Sequence, residues 1–309
     1  MTGRAEAGDA LLSLKIGFVG AGKLAQTLAA AFTQAGLTVV AASSRDDRNR
    51  DAMARRCPGA RVTDDPAAVA RTSSLVFLSV SDDAIGPVCA SLPWKEGQAV
   101  VHCSGATEVA ALAPAKSAGA LVGGFHPMQM FANPDVALAG LPGCTVGIEA
   151  EAPLRTTLES LALAIGCSPF TLPPGVRPLY HASAYYVGPF LIALLQEGAK
   201  LWQRFGANEQ QAMRAMVPLL RGSVAAVLDG GLANGMGGCV ARGDVGTIER
   251  HLQALDGFDP EAGALYRELA LRNVPLGLQR GTLAAERAAE IEALLRAEPF
   301  NLSLARKPA

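Results

Sequence analysis

The sequence predicts an α/β chain: a doubly wound parallel sheet followed by an all-helical domain. Three observations carry that expectation. Apolar strand patterns alternate with helical ones from Lys15 to about Pro173, a Gly-x-Gly-x-x-Ala loop joins the first strand to the first helix, and strand signal nearly vanishes after Pro173-Pro174. Continuous apolar strands with helices between them mean a parallel sheet covered on both faces. At 309 residues, half of them hydrophobic, the chain is long enough for two cores.

The elements follow in order. KIGFVG is the first strand and leads to a helix over Leu24 to Ala35. LTVVAA leads to a helix around Arg48 to Arg56, and a short strand (Ala60 to Thr63) precedes a short helix from Pro66. The buried strand LVFLSV, a helix near Ala84 to Ser91, the strand AVVHCS, a helix through Val109 to Lys116 and the strand ALVGGFH come next. CTVGIEA, a helix over Pro153 to Ala164, and SPFTLP close the series. Beyond them, helical patterns cover Leu179 to Phe205, Glu209 to Asp229, Asp244 to Leu255, Pro260 to Asn273 and Thr282 to Leu295. The expected domains are a flexible tail over 1–14, a nucleotide-binding domain over 15–174 and a helical domain over 175–309.

Composition excludes several function classes. A net charge of -1, with Arg and Lys dispersed, leaves no basic footprint for nucleic acid. Six cysteines without a CxxC pair and four histidines without His-x-x-x-His lack metal-ligand spacing, and reduced thiols of a cytoplasmic protein are expected. The tail has no apolar core of signal-peptide length. The longest apolar run, Ala182 to Leu195, is too short for a bilayer, so a soluble protein without a membrane partner is expected.

The glycine loop points to a dinucleotide. Gly20 makes the tight turn out of the strand, Gly22 lets the main chain close on a diphosphate, and Ala25 lets the helix pack on the sheet. Ala21, Lys23 and Leu24 complete the cradle at a helix N-terminus, where unpaired N–H groups face an anion. The end of the second strand then selects the cofactor. An acidic residue there would bind ribose hydroxyls; this chain instead has Ser43, Ser44 and Arg45, which suit a 2′-phosphate and hence NADP. Asp46 or Asp47 fits a helix cap. At the next strand ends, Ser81-Asp82 and Ser104-Gly105 fall beside the nicotinamide half, although Asp82 also suits an N-cap and Ser104-Gly105 a simple turn.

Four further positions attract chemistry. His126 should emerge at the carboxyl edge of the sheet, with a ring able to donate near neutral pH. His181 and Tyr185 share one face of the long helix with Gly188, a face that also suits plain packing. Pro189 cannot donate to the carbonyl of Tyr185, so the helix should kink there. Arg242, in a glycine-flanked link, suits a two-pronged contact with an anionic substrate, and Asp244 suits a cap.

The segments IGFVGAGKLA, LSVSDDAI, VHCSGA, GFHPMQMF, YHASAYYVGPFLIALL and VARGDVGTIERHLQAL occur in this order. Together they resemble a bacterial family with a Rossmann-like N-terminal domain and a C-terminal helical domain of unknown function. That family is similar to pyrroline-5-carboxylate reductases, ketopantoate reductases and 6-phosphogluconate dehydrogenase-like enzymes. The resemblance covers Lys15 to about Leu295, with His126-Pro127 and Arg242-Gly243-Asp244 its most specific pieces. It implies an NADP-dependent oxidoreductase but no substrate; the leading expectation is a reductase of a small, anionic keto or imine molecule, with ketopantoate first and a pyrroline or hydroxyacid substrate next. A homodimer through the helical domain is implied too. Pro189 stands where an Asn is common, and Gly237 and Cys239 replace a Thr and a Pro. The alternative is a regulatory protein that binds NADPH without turnover.

Overall fold

The structure is a computed structural model that describes residues 11–300. Residues 1–10, where most of the expected tail falls, and 301–309 lie outside the described residues. The chain forms two compact units that divide at Phe190/Leu191. The expected division at 174/175 lies sixteen residues earlier, three residues after the last strand.

Among the described residues the first unit holds one eight-stranded sheet, ordered β3-β2-β1-β4-β5-β6-β7-β8. The strands are β1 (Lys15–Val19), β2 (Thr38–Ser43), β3 (Arg61–Thr63), β4 (Leu75–Leu78), β5 (Ala99–His102), β6 (Leu121–Pro127), β7 (Thr145–Ala150) and β8 (Ser168–Thr171). Helices α1 (Lys23–Gln34), α2 (Asp47–Arg56), α3 (Pro66–Thr72) and α4 (Asp82–Ser91) connect the first five. Chain order reverses between the neighbours β1 and β4, and ligands of open α/β sheets bind outside the strand ends at such a point.

The sheet is parallel except at one seam. β7 runs antiparallel to β6, with His126 opposite Gly147. A parallel connection must carry the chain back across the sheet. Here the link instead stays near the carboxyl end, around the short α6 (Pro134–Ala139), tied to α1 and α2. The Thr27 hydroxyl donates to the Pro134 carbonyl at 3.4 Å, and Arg56 pairs with Asp135 at 2.6 Å. α6 escaped the sequence reading because six residues show too little periodicity. The expected helix over Val109 to Lys116 is a 3₁₀ turn (Val109–Leu112) running into α5 (Ala113–Ser117).

Two apolar layers clamp the sheet. On one face Phe18, Phe32, Phe77 and Phe125 stack with ring centroids 5.3–6.4 Å apart, each fully buried. α7 (Leu154–Ala164) covers the same face through Leu158 and Leu161. On the other, Val76, Leu78, Ile85, Val100 and Leu112 pack together. Each such side chain contributes roughly 1.5–3 kcal/mol on burial.

The long helix expected over Leu179 to Phe205 is two, α8 (Arg177–Val187) and α9 (Pro189–Arg204), broken at Gly188 (φ -106, ψ -100). The missing N–H of Pro189 is harmless at a helix start. The second unit continues with α10 (Glu209–Gly235), α11 (Val245–Phe258), α12 (Pro260–Arg280) and α13 (Ala285–Arg296). Ile248, Leu252, Val274 and Ile291 form its core, and Arg267 makes a two-pronged pair with Asp256 at 2.7 Å. α10 kinks at Gly231 (φ 76, ψ 176), next to its expected end at Asp229, and a last turn continues to Gly235; the segment is long and apolar enough to cross a bilayer by length and composition alone. Leu219, Leu228 and Leu232 on it are largely exposed.

Candidate functional site

The glycine loop leaves β1 in the shape its residues anticipate. Gly20 has φ +99, and a Cβ there would lie 2.4 Å from the Ser79 carbonyl oxygen, so no other residue fits. The Ser79 hydroxyl donates to the Gly20 carbonyl at 2.9 Å, and the Gly20 N–H donates to Ser43 at 2.9 Å. Gly22 is the N-cap of α1, with no side chain capping it and open space where a Cβ would be. Ala21 is buried, and Lys23 and Leu24 open the helix. The exposed N–H groups, the helix dipole and the missing side chains together make an anion cradle.

At the end of β2, Ser43 is buried and Ser44 half-buried, with its hydroxyl accepting from the Asp46 N–H at 3.2 Å. Asp46 caps α2 by accepting from the Arg48 and Asn49 N–H groups. Arg50 donates to the Ser44 carbonyl at 2.7 Å and pairs with Asp47. Both acids are thus occupied, whereas Arg45 is exposed and has no ion pair among the described residues. A loop with its acids tied down and one free guanidinium is set for an anionic group.

The next strand ends meet one another. Ser81 is the N-cap of α4 but makes no side-chain cap bond, and Asp82 does not cap either. Its carboxylate accepts from the Ser104 hydroxyl at 2.8 Å, while that hydroxyl also accepts from the Thr107 N–H at 2.9 Å. Ser104-Gly105 is therefore a pinned loop, more than a simple turn.

Gly105 lies beneath two imidazoles. A Cβ on it would fall 2.3 Å from His181 Nδ1 and 2.9 Å from His126 Nε2, so both nitrogens converge on the space above the loop. The two rings meet edge to face with centroids 5.4 Å apart, and His181 meets Tyr185 in the same way at 5.4 Å. His181 Nδ1 is buried without a hydrogen-bond partner, and Tyr185 is partly exposed. His126 Nδ1 is 3.0 Å from the Tyr180 hydroxyl. Burial, then His181 and Arg177, lowers the His126 pKa to about 4, so the ring is neutral at neutral pH. Behind it, burial, Arg177 and His126 lower His102 to about 3.

Two groups that support this site escaped the sequence reading. Arg177 is wholly buried, pairs with Glu149 at 2.5 Å and donates to the Ser104 carbonyl at 2.7 Å. Tyr180 orients His126 and, with burial the chief cause, is pushed up to about 12. Their signal lay in the strands. Gly124 and Gly147 are glycine because a Cβ would strike the Arg177 guanidinium at 1.8 Å and the Tyr180 ring at 2.7 Å. The structure thus brings together His126, His181, Tyr185, Ser104, Gly105 and Asp82. Arg242 is exposed in the second unit, and Asp244 caps α11 by accepting from the Thr247 N–H at 3.0 Å.

Sheet order, glycine turn and open helix end define a Rossmann-type unit followed by a helical one. A Rossmann-like domain family matches residues 1–127, and a domain of unknown function, DUF2520, matches residues 144–273. No curated protein matches it. Among solved structures it is similar to a candidate NADP oxidoreductase from Bacteroides fragilis, with TM-score 0.68 and 22% identity over 86% of this chain and 99% of that one. A reductive aminase from Aspergillus terreus in complex with NADPH and ethyl-5-oxohexanoate gives TM-score 0.57 and 18% identity over 91% and 92%. A pyrroline-5-carboxylate reductase from Coxiella burnetii gives 0.55 and 17% over 90% and 98%. At such identities the likeness is one of fold.

Proposed function

We propose that the chain is an NADP-dependent oxidoreductase that reduces a small keto or imine substrate. One observation carries the reading: the uncapped N-terminus of α1, after β1, and the two histidine nitrogens over Gly105, after β5, open on the same edge of the sheet with only β4 between those strands. The NADPH in the reductive aminase of the same fold supports it.

In this reading Gly20, Ala21, Gly22, Lys23 and Leu24 hold the diphosphate, and Ser43, Ser44 and Arg45 hold the 2′-phosphate. Ser81, Asp82, Ser104 and Gly105 border the nicotinamide half, where the cofactor supplies hydride. The Tyr180 hydroxyl, which donates to the His126 carbonyl at 3.2 Å, holds the ring through Nδ1; in its Nε2–H tautomer that ring donates to the acceptor oxygen or nitrogen. A neutral ring polarises rather than protonates, so the product's proton comes from water. Arg177 and Asp82 act on the loop and not on substrate.

Fluorescence titration with NADPH and NADH tests the cofactor, and equal affinities would overturn the NADP assignment. NADPH oxidation over a panel beginning with ketopantoate and pyrroline-5-carboxylate tests the reaction. NADPH binding without turnover across the panel would favour the regulatory reading. Unchanged activity in Arg242→Ala would remove that residue from the candidates for an anionic substrate group.

We also infer a homodimer through the second unit. The exposed Leu219, Leu228 and Leu232 leave apolar surface on α10 that a second copy would cover. Sedimentation should give a dimer that Leu228→Glu/Leu232→Glu splits. A monomer that floats with lipid vesicles would refute both the dimer and the cytoplasmic location that accompanies it.

A further inference from the structure

Two neighbouring strands of the first unit open on the same two residues. Gly143-Cys144 precedes β7, and Gly166-Cys167 precedes β8. Both glycines are left-handed, at φ +82 and +76, and turn the chain into its strand. The β7–β8 ladder is parallel with Thr145 opposite Ser168, so one step back sets Cys144 opposite Cys167. Backbone hydrogen bonds bracket the pair. The Gly143 N–H donates to the Gly166 carbonyl at 2.8 Å, and the Ser168 N–H donates to the Cys144 carbonyl at 2.8 Å. Neighbouring strands lie about 4.7–4.9 Å apart, within the Cα separation that a disulfide spans.

The side chains agree with the backbone. Both cysteines pack against the same apolar layer, and each thiol donates to a main-chain carbonyl, Cys144 to Thr145 at 3.4 Å and Cys167 to Leu141 at 3.2 Å. The two neighbouring sulfurs act on each other, so that the Cys144 pKa falls below the usual thiol value and that of Cys167 rises. Cys167 is buried, whereas Cys144 is partly exposed. The thiol favoured as thiolate is therefore the one solutes reach, with a second thiol behind it to resolve the product.

We propose that Cys144 and Cys167 are an oxidisable dithiol, a modification site at which hydrogen peroxide converts the pair to a disulfide. The Cys144 thiolate attacks one peroxide oxygen and the O–O bond breaks. The departing hydroxide takes a proton and leaves as water, and Cys144 becomes a sulfenic acid. The Cys167 sulfur then attacks the Cys144 sulfur and the S–O bond breaks. The second hydroxide takes the Cys167 proton and leaves as water. Two thiols lose two electrons in total, and one peroxide gains them as two waters. The bridge would close beside the site, because the Met128 N–H donates to the Thr145 carbonyl at 2.8 Å, two residues from His126. The proposal does not depend on the cofactor reading.

The test treats the full chain with graded hydrogen peroxide, then quenches, denatures, counts thiols and maps peptides. Titratable thiols should fall from six to four. A peptide joining Cys144 to Cys167 should appear, and dithiothreitol should reverse both changes. Cys144→Ser should hold its five thiols under the same dose. Cys167→Ala should instead accumulate sulfenic acid on Cys144, trapped by dimedone, with circular dichroism confirming that each variant is folded. Cys144 running to sulfinic acid in the wild type without a bridge would overturn the proposal. So would a bridge to another cysteine, or six thiols surviving the full dose. If Cys167→Ala is unfolded, the mapped peptide and Cys144→Ser decide the matter.

Discussion

Acidification probes the neutral state of the histidine cluster. His102 and His126 sit at about 3 and about 4, against 6.5 for an ordinary histidine, with burial the first cause in both. A depressed folded pKa means that the unfolded chain binds the proton first. The contribution is therefore complete above about pH 6.5 and is lost as pH falls toward the folded values. At pH 5 the unfolded rings are almost wholly protonated and the native rings almost wholly neutral. Linkage then removes about 2 kcal/mol for each ring, or about 4 kcal/mol for both, a large share of the roughly 5–15 kcal/mol that holds a domain folded. Staying at pH 5 and above keeps the effect apart from Asp244 and Asp256, whose carboxylates are held below the usual range by hydrogen bonds from Thr247 and Arg267. Urea unfolding at pH 7.5 and 5.0 should show the loss in the wild type and about half of it in His126→Gln. A wild-type loss under about 1 kcal/mol, or the same loss in the variant, would refute a neutral, buried His126 and with it the polarising role.

Other perturbations separate the parts of the site. Arg45→Ala should weaken NADPH binding at least about tenfold, the worth of one charge-assisted hydrogen bond, and leave NADH unchanged in the same titration. Gly20→Ala forces a Cβ against the Ser79 carbonyl at φ +99 and should abolish binding of either nucleotide, with a loss of about 1–3 kcal/mol in urea unfolding. Arg177→Met leaves Glu149 buried and unpaired and should destabilise the protein by about 3–5 kcal/mol. Adding Glu149→Gln should recover most of that stability, and a double variant no better than the single would show that the pair is not the cause.

Strand and helix alternation was legible because it is local. Apolar runs such as LVFLSV and the glycine turn after KIGFV obey backbone rules that need no distant partner. The antiparallel seam was not legible, because strand direction depends on where α6 docks, and Thr27 and Arg56 decide that from elsewhere in the chain. The break at Pro189 was foreseen from a missing N–H, but its form, a new helix starting at proline, depends on Gly188. His126 and His181 stood out singly as residue types. That their nitrogens meet over Gly105 depends on the register of β6 and on Arg177 and Tyr180 settling against two strand glycines.

By itself, then, the sequence determined the layered α/β start, the helical continuation and the anion cradle, since periodicity and glycine conformation act over a few residues. Only the tertiary structure decided which acids are engaged, which arginine is left free, and that Arg177, Glu149 and Tyr180 stand behind the histidines. Burial and pairing join residues far apart in the chain, and they exist only once the sheet has brought its strand ends to one edge.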